Sequence, residues 1–429
     1  MKAPPSVFSE SVHDLPLVDL YVVARTGGQH DAEGREGSLN LALRTLRRGT
    51  RRMSAHEIDA QIDRLGAELS TSVDASSALL HASVIRRNLP AFAALLGEIV
   101  GDATLPEQEL SQVRREIQAD LVDARDDDRT LAGRYFRRTL FAGHPFGRPN
   151  AGTIRSLDQI TRADAHAAYA RTFCQGNVIL AGAGDVSAAE VEALAAAVRP
   201  SLSASPPPPA DIAEPAPVRG RRLLIVDKPD RTQTQIFIGN LGTHPRDRDH
   251  VALHVANTIF GGTFTARLTR EIRSRRGLSY GASSRLGRDR ARESWSMWTF
   301  PAATDAAKCI TIQLGLLERL VERGVTAREV SFARSYLTRS YAFDRDTAGK
   351  RLWQRLDVTL QDLPANYYTD YVARVNAITV DDVNAAVRRR LSAKDLLVTV
   401  VATADSLRSD LERAIPGVSD VAVVPFDRD

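Results

Sequence analysis

Apolar and polar residues alternate along this chain in two patterns, one typical of strands and one typical of helices. The run from Leu17 to Ala24 is rich in β-branched and aromatic residues and ends near a pair of glycines, as expected for a strand that leads into a turn. Shorter runs predict the two strands of a hairpin at 68–73 and 78–85. Continuous apolar runs at 178–183 and 396–401 predict strands that are buried on both faces.

The helical pattern, with apolar residues three or four positions apart, occupies much of the sequence between those strands. Ser54 and Glu57 have the spacing of a capping box, which predicts the start of a helix. The same spacing recurs at Thr326 and Glu329. Further helices are predicted at 38–48, at 89–100, from Pro106 onward and from about Thr161 onward.

Two segments of the chain carry the same signature, which indicates an internal duplication. Ile160-Thr161-x-x-Asp164 corresponds to Ile378-Thr379-x-x-Asp382, and each motif precedes a predicted buried strand by the same offset. Between the two repeats, prolines are concentrated at 201–220 and favour an extended spacer.

We therefore predict an α+β protein with an N-terminal domain (1–200), a proline-rich linker (201–220) and a C-terminal domain (221–429). Each domain is expected to contain a mostly antiparallel sheet with helices packed on one face.

Composition and charge exclude several classes of function. The 429 residues are 43% hydrophobic and 26% charged, as in ordinary soluble proteins, and the formal net charge is only +4. Basic residues are interspersed with acidic ones and form no patch with interleaved aromatics, so nucleic-acid binding is not expected. No apolar run is long enough to span a membrane, and the N-terminal MKAPPSVFSES lacks a signal-peptide core. We expect a soluble protein of the cytoplasm, or of the periplasm if a targeting segment has been removed.

A basic segment in the second half, Gly261–Ser284, contains candidate chemistry. A helix is predicted at 266–276 and a strand at 278–280. Arg273 on the helix and Tyr280 on the strand would then be neighbours in space. A guanidinium and a phenol aimed at one point can donate hydrogen bonds to a peptide carbonyl or an oxyanion. By spacing alone, a solvated basic helix face is the simpler interpretation.

A second candidate is the pair His250 and His254, which are one helical turn apart and could bind a metal. No glutamate accompanies them, so a surface or core role is favoured.

The chain as a whole resembles the pitrilysin family, in the branch that is similar to the mitochondrial processing peptidase. The resemblance extends over about residues 14–413 and rests on four segments together: GGQHDAEGREGSLNLALRTLRRGT, IDAQIDRLGAELS, HPFGRPNAGT and LTREIRSRRGLSYGASS. Such proteins fold as two homologous domains that form one half of a clamshell. The resemblance therefore implies the α+β architecture predicted above and adds a homologous partner that closes the clamshell.

Active members of the family carry His-x-x-Glu-His on the first short helix, where the histidines bind zinc and the glutamate is the general base. The corresponding positions in this chain are Asn40, Leu43 and Arg44, and the position of the third ligand falls on Leu121. Each of these positions lacks the family's residue. Arg44 would also place a fixed positive charge where the cation should bind.

Two carboxylates, Glu116 and Asp120, lie close to the third position in sequence, and a small alignment gap would bring one of them into it. A lone carboxylate does not hold catalytic zinc. No metal and no other cofactor is therefore expected in this chain.

A second family feature is retained. Active members need an arginine and a tyrosine with the spacing of Arg273 and Tyr280, and this pair holds the scissile carbonyl across a cleft from the zinc. The resemblance thus implies the zinc-less subunit of a bacterial heterodimeric metalloendopeptidase, inactive alone, that supplies the pair in trans. The implied partner is a homologous subunit with an intact His-x-x-Glu-His and its zinc. The implied substrate is an unfolded peptide that lies against an edge strand.

The alternative is a catalytically inert scaffold or peptide-binding protein of the same fold. Retention of Arg273 and Tyr280 speaks against it, since a pure scaffold has no use for that pair.

Overall fold

The computed structural model describes residues 6–428, and within this range the strands form one sheet of five strands and one of six. The start of the N-terminal stretch noted above for its lack of a signal-peptide core lies outside the described range. The strand order of the first sheet is β1-β5-β2-β4-β3. Its strands are β1 (Val7–Ser11), β2 (Leu17–Ala24), β3 (Glu68–Val73), β4 (Ala78–Ile85) and β5 (Val178–Gly184).

The second sheet has the order β11-β6-β10-β7-β9-β8. Its strands are β6 (Arg221–Asp227), β7 (Gln235–Leu241), β8 (Ala282–Leu286), β9 (Ser294–Thr299), β10 (Leu396–Ala402) and β11 (Val418–Pro425). Without β11, this order repeats that of the first sheet strand for strand. In each repeat the first strand pairs in parallel with the last, and the other shared pairs are antiparallel. The duplication predicted from the sequence is therefore present in the fold.

The helices lie between the strands in both domains. Those of the first half are α1 (Ser38–Thr45), α2 (Ala55–Arg64), α3 (Leu89–Asp102), α4 (Glu107–Asp123), α5 (Asp128–Leu140), α6 (Ile154–Gln159), α7 (Arg162–Thr172) and α8 (Ala188–Val198). Those of the second half are α9 (His250–Phe260), α10 (Arg267–Thr269), α11 (Ala306–Arg323), α12 (Ala327–Ser340), α13 (Ala348–Leu360), α14 (Tyr371–Ala377), α15 (Val380–Arg390) and α16 (Ala404–Arg413). The proline-rich segment 204–219 is neither helix nor strand.

The predicted capping boxes are formed. The Ser54 hydroxyl accepts from the backbone N–H of Glu57, and the glutamate side chain accepts from the backbone N–H of Ser54. The boxes that begin at Thr161, Thr326 and Thr379 have the same reciprocal bonds. These local signals fixed the starts of four helices because they satisfy backbone N–H groups that have no partner inside the helix.

The two domains exchange one helix each. One face of each sheet is covered mainly by helices of its own half. The other face of the first sheet packs against α13, through apolar contacts that include Leu352 and Leu356. The other face of the second sheet packs against α5, through contacts that include Leu131 and Phe136. The central strands β5 and β10 are therefore buried on both faces, which explains their continuous apolar runs.

Ion pairs accompany the exchanged helices. Lys228 at the end of β6 bonds to Asp128 at the start of α5 (Nζ–Oδ1 2.6 Å), and Arg137 farther along α5 bonds to Glu293 (2.7 Å). Arg351 on α13 bonds to Glu10 on β1 (2.8 Å). These contacts fix the exchanged helices along the sheets that they cover.

We expect Leu352→Ala on α13 to lower the free energy of unfolding by about 2–5 kcal/mol, because the leucine is fully buried against the first sheet and its loss leaves a cavity. Chemical denaturation followed by circular dichroism measures the change. Leu15→Ala is the control, since Leu15 is 65% exposed and should change stability by less than about 0.5 kcal/mol. Equal effects of both substitutions would show that α13 does not stabilise the first sheet.

Candidate active site

Helix α1 carries the three positions that align with the zinc motif. It begins after Gly37, whose backbone N–H donates to the carboxylate of buried Asp31 (2.8 Å). Leu43 is packed in the core of the first domain, whereas Asn40 and Arg44 are partly exposed. A general base could not act from position 43, because leucine has no ionisable group and its side chain is buried.

Carboxylates of α4 hold Arg44 in place. Its Nη1 donates to Oδ2 of Asp120 (2.8 Å), and its Nη2 lies 3.9 Å from Oε2 of Glu116. Arg48, one turn further on, also contacts Glu116 (3.3 Å). Leu121 instead packs against the apolar core. Both Glu116 and Asp120 are therefore engaged by guanidinium groups.

This arrangement does not fit zinc. Across residues 6–428, no three His, Cys, Asp or Glu side chains lie together in a group that could hold a metal ion. At the aligned motif, a permanently charged guanidinium faces the carboxylates that a cation would need as ligands.

We expect the purified chain to retain less than one equivalent of zinc after incubation with the metal and dialysis, as measured by elemental analysis. The double variant Asn40→His/Arg44→His should retain more zinc, because two imidazoles one helical turn apart would face the released Asp120. Arg48→His is the matched control and should leave zinc retention at the level of the parent chain. Equal zinc contents in the parent and the double variant would show that the motif has been placed on the wrong residues.

The segment that leads to Tyr280 differs from its prediction. Helix α10 widens into a π-helix over Arg270–Arg275, and the predicted strand at 278–280 is wrong, because β8 begins only at Ala282. Gly277 takes a left-handed conformation (φ 63°), which turns the chain back on the helix. The Ser279 hydroxyl then donates to the carbonyl of Gly281 (2.7 Å) and accepts from the backbone N–H of Phe300 (3.0 Å). These bonds hold the residues before β8 in a bend.

Arg273 and Tyr280 are nevertheless brought together. The guanidinium carbon of Arg273 lies 4.3 Å from the ring centroid of Tyr280 and 4.6 Å from that of Phe264. Tyr280 is 75% exposed, so its hydroxyl and much of its ring face solvent. A cation over an aromatic face is attracted by the ring quadrupole, which orients the arginine without using its N–H groups.

The other arginines of this segment are in different environments. Arg267 forms a two-pronged ion pair with Glu329 (both 2.7 Å), whereas Arg275 and Arg276 share Glu271. Arg270 is exposed to solvent. Within residues 6–428, Arg273 has no carboxylate partner, so its N–H groups remain available to an acceptor from outside the chain.

The outer edge of β8, beside this pair, is covered by the chain itself. The backbone N–H of Ser284 donates to the carbonyl of Gly261 (3.0 Å), and Asn257 donates to the carbonyl of Ser284 (3.2 Å). A Cβ on Gly261 would lie 2.5 Å from the Ser284 nitrogen, so only glycine permits this approach. A peptide held near Arg273 therefore cannot extend the second sheet at Ser284.

His250 and His254 line a cavity of about 1230 Å³ between the two domains. His250 Nδ1 is bonded to the Thr243 hydroxyl (2.9 Å). Burial lowers the pKa of His250 to about 3 and that of His254 to about 4, and the charge of nearby Arg288 adds to both effects. The pair is therefore neutral at pH 7. Within the described residues, no third His, Cys, Asp or Glu joins the pair in a group that could hold a metal ion.

Sequence reasoning missed this cavity. Tyr21 and His81 of the first sheet stack there with ring centroids 4.7 Å apart, and Trp353 of α13 lies beside Tyr21 (6.2 Å). No local pattern could have revealed it, because its walls come from both domains and meet only through the helix exchange.

The buried histidines predict loss of stability in acid. Because the pKa of His250 is near 3 in the folded chain and about 6.5 in the unfolded chain, the stabilisation is complete above about pH 6.5 and is lost as the pH falls toward 3. We expect the pH dependence of unfolding between pH 7 and 4 to be weaker in His250→Gln than in the parent chain. His13→Gln is the control, since His13 is largely exposed. Equal slopes for the parent and His250→Gln would contradict the prediction.

Comparisons with known proteins identify the family. Residues 6–154 match the family model described as Insulinase (Peptidase family M16), and residues 159–337 match the one described as Peptidase M16 inactive domain. The chain belongs to peptidase family M16, the pitrilysin family, and the resemblance seen in the sequence is confirmed.

Individual relatives span nearly the whole chain. An uncharacterized zinc protease of Streptomyces coelicolor is 23% identical over 415 residues, or 95% of this chain and 90% of that protein. The non-peptidase homolog YmxG of Helicobacter pylori is 19% identical over 401 residues, or 92% of this chain and 91% of that protein. The crystal structure of a peptidase M16 inactive domain from Pseudomonas fluorescens matches with a TM-score of 0.85 and 23% identity, covering 98% of this chain and 96% of that one. This likeness confirms the predicted α+β fold with two homologous domains.

In the part of the chain that the structure describes, no helix is both long enough and apolar enough to cross a membrane.

Proposed function

We propose that this chain is the zinc-less subunit of a heterodimeric zinc metalloendopeptidase and supplies Arg273 and Tyr280 in trans to the zinc site of a homologous partner. The observation that carries the proposal is the environment of the Arg273 guanidinium. It lies over the ring of an exposed tyrosine and has no carboxylate partner within residues 6–428. The other arginines of the segment are ion-paired or solvated.

The pair suits the recognition of a peptide carbonyl. The guanidinium presents N–H donors in a fixed fork, and the tyrosine hydroxyl can add one more. Donors that are already oriented stabilise the negative charge that develops on the oxygen when the carbonyl carbon is attacked. The metal and the general base would both belong to the partner's His-x-x-Glu-His helix, since α1 of this chain offers neither.

The expected substrate is an unfolded peptide. Because the edge of β8 is covered at Ser284, we expect this segment to bind the peptide through side-chain donors and not through backbone pairing. Backbone pairing with the peptide would then fall to another edge strand, in agreement with the family's mode of strand addition.

The second candidate is an inert scaffold or peptide-binding protein of the same fold. The ion pairs between Arg44 and α4 support it, because they give Arg44 a structural contact in place of a catalytic one. The Helicobacter pylori relative is also named a non-peptidase homolog. A nearby gene for a homologue with an intact His-x-x-Glu-His would favour the peptidase subunit over the scaffold.

We expect neither this chain nor its zinc-bearing homologue to cleave an unstructured fluorogenic peptide alone, whereas the mixture should do so. In the mixture, Arg273→Ala or Tyr280→Phe should lower turnover by about 100-fold or more, the usual cost of losing a transition-state donor. Arg270→Ala is the matched control, since Arg270 lies on the same π-helix but faces solvent. Size-exclusion chromatography should show that every variant still assembles.

Two outcomes would overturn the proposal. Full activity of the zinc-bearing subunit by itself would exclude a role in trans. Unchanged turnover in both Arg273→Ala and Tyr280→Phe, with assembly intact, would favour the scaffold.

A further inference from the structure

Two aromatic side chains at the Arg273 site are unusually exposed. Phe264 is 77% exposed and Tyr280 is 75% exposed, and no other large apolar side chain among residues 6–428 reaches these fractions. Both rings contact the same guanidinium. Aromatic surface that stays in water does not gain the stabilisation that burial would provide. Local packing therefore does not explain why both exposed rings lie at one arginine.

The turn that carries Phe264 is held firmly. A Cβ on Gly262 would lie 2.9 Å from Cα of Thr258, so the turn packs directly on α9. The buried Thr269 hydroxyl lies within hydrogen-bond distance of the carbonyls of Thr263 (3.2 Å) and Ala282 (2.8 Å). It therefore links the turn before Phe264 to the strand that follows Tyr280. The backbone that carries the two exposed rings is therefore held by packing and hydrogen bonds.

The site thus presents two kinds of surface side by side. The guanidinium and the phenol hydroxyl offer hydrogen-bond donors, which require a carbonyl or a carboxylate. The exposed parts of the two rings offer apolar surface, which requires an apolar group. A peptide satisfies both requirements when a large apolar side chain lies next to the carbonyl that Arg273 holds.

We infer that Phe264 is a specificity-determining residue of this site and that it selects unfolded peptides with a large apolar side chain beside the carbonyl bound by Arg273 and Tyr280. The inference rests on the proposed function, whose donor pair it extends with a third residue. Phe264 lies nine positions before Arg273 on the other side of α10, so the Arg-x-x-x-x-x-x-Tyr spacing does not include it.

Two peptides test the inference. Both are unstructured, equal in length and charge, and labelled with a fluorophore and a quencher, and they differ only in a central Phe or Ser. The assembled heterodimer should cleave the Phe peptide with the higher kcat/KM. Phe264→Ser should reduce this preference by about tenfold. This change corresponds to losing roughly half of the free energy gained when an apolar side chain is fully buried. Phe264→Leu should keep most of the preference, because leucine restores the apolar surface.

Phe343→Ser is the matched control, since Phe343 is 71% exposed, follows α12 and is not one of the two rings over Arg273, and it should leave the preference unchanged. Equal losses on both peptides in Phe264→Ser would mean that Phe264 only positions Arg273, and the inference would fall. Unchanged preference would also overturn it, as would dissociation of the Phe264→Ser heterodimer, which would assign the ring to the subunit interface.

Failure of the proposed function gives a different result. In that case Arg273→Ala leaves the turnover of both peptides unchanged. Fluorescence anisotropy with this chain alone then tests whether the apolar site binds peptides without catalysis. It uses the same two peptides, carrying only the fluorophore. Tighter binding of the Phe peptide that disappears in Phe264→Ser would sustain the apolar site without catalysis, and equal binding of the two peptides would exclude it.

Discussion

Reciprocal packing of α5 and α13 is the contact on which the architecture depends. The central strands β5 and β10 are apolar on both faces, and the helices of the same half cover mainly one face of each sheet. The remaining face is covered by a helix from the other half. Because buried apolar area stabilises by about 25 cal/mol per Å², neither sheet reaches its full burial without the other half. The stability of the two domains is therefore coupled, and the cavity between them exists only because the helices are exchanged.

This source of stability explains how the fold persists without a zinc motif. The apolar side of α1, including Leu41 and Leu43, packs in the first core whether or not the helix carries ligands. Arg44 and Arg48 satisfy the carboxylates that α4 presents to that helix. Such partly exposed pairs add little free energy, but they occupy the carboxylates of α4 that face α1. The packing of α1 therefore does not depend on zinc-binding side chains at positions 40 and 44.

The segment around Arg273 differs from α1, because its features lower local stability. Its arginine has aromatic neighbours instead of a carboxylate within residues 6–428, its helix widens into a π-helix, and two of its aromatic rings are left in water. Each feature forgoes some local stabilisation. Departures of this kind concentrate where a protein meets a ligand, which is why the proposals above centre on this segment and not on α1.

The sequence alone determined the features that depend on neighbouring residues. The strand Leu17–Ala24 and the boxes at Ser54 and Thr326 formed as predicted, because backbone preference and capping act over a few residues. The duplication could be predicted for the same reason, since its repeated motifs are local patterns. Tertiary structure decided the rest: the bend at Ser279 depends on Phe300, 21 residues away, and the short strand β1 forms by pairing with distant β5. The ion pair of Arg267 was also decided by the fold, because its partner Glu329 is 62 residues away in sequence.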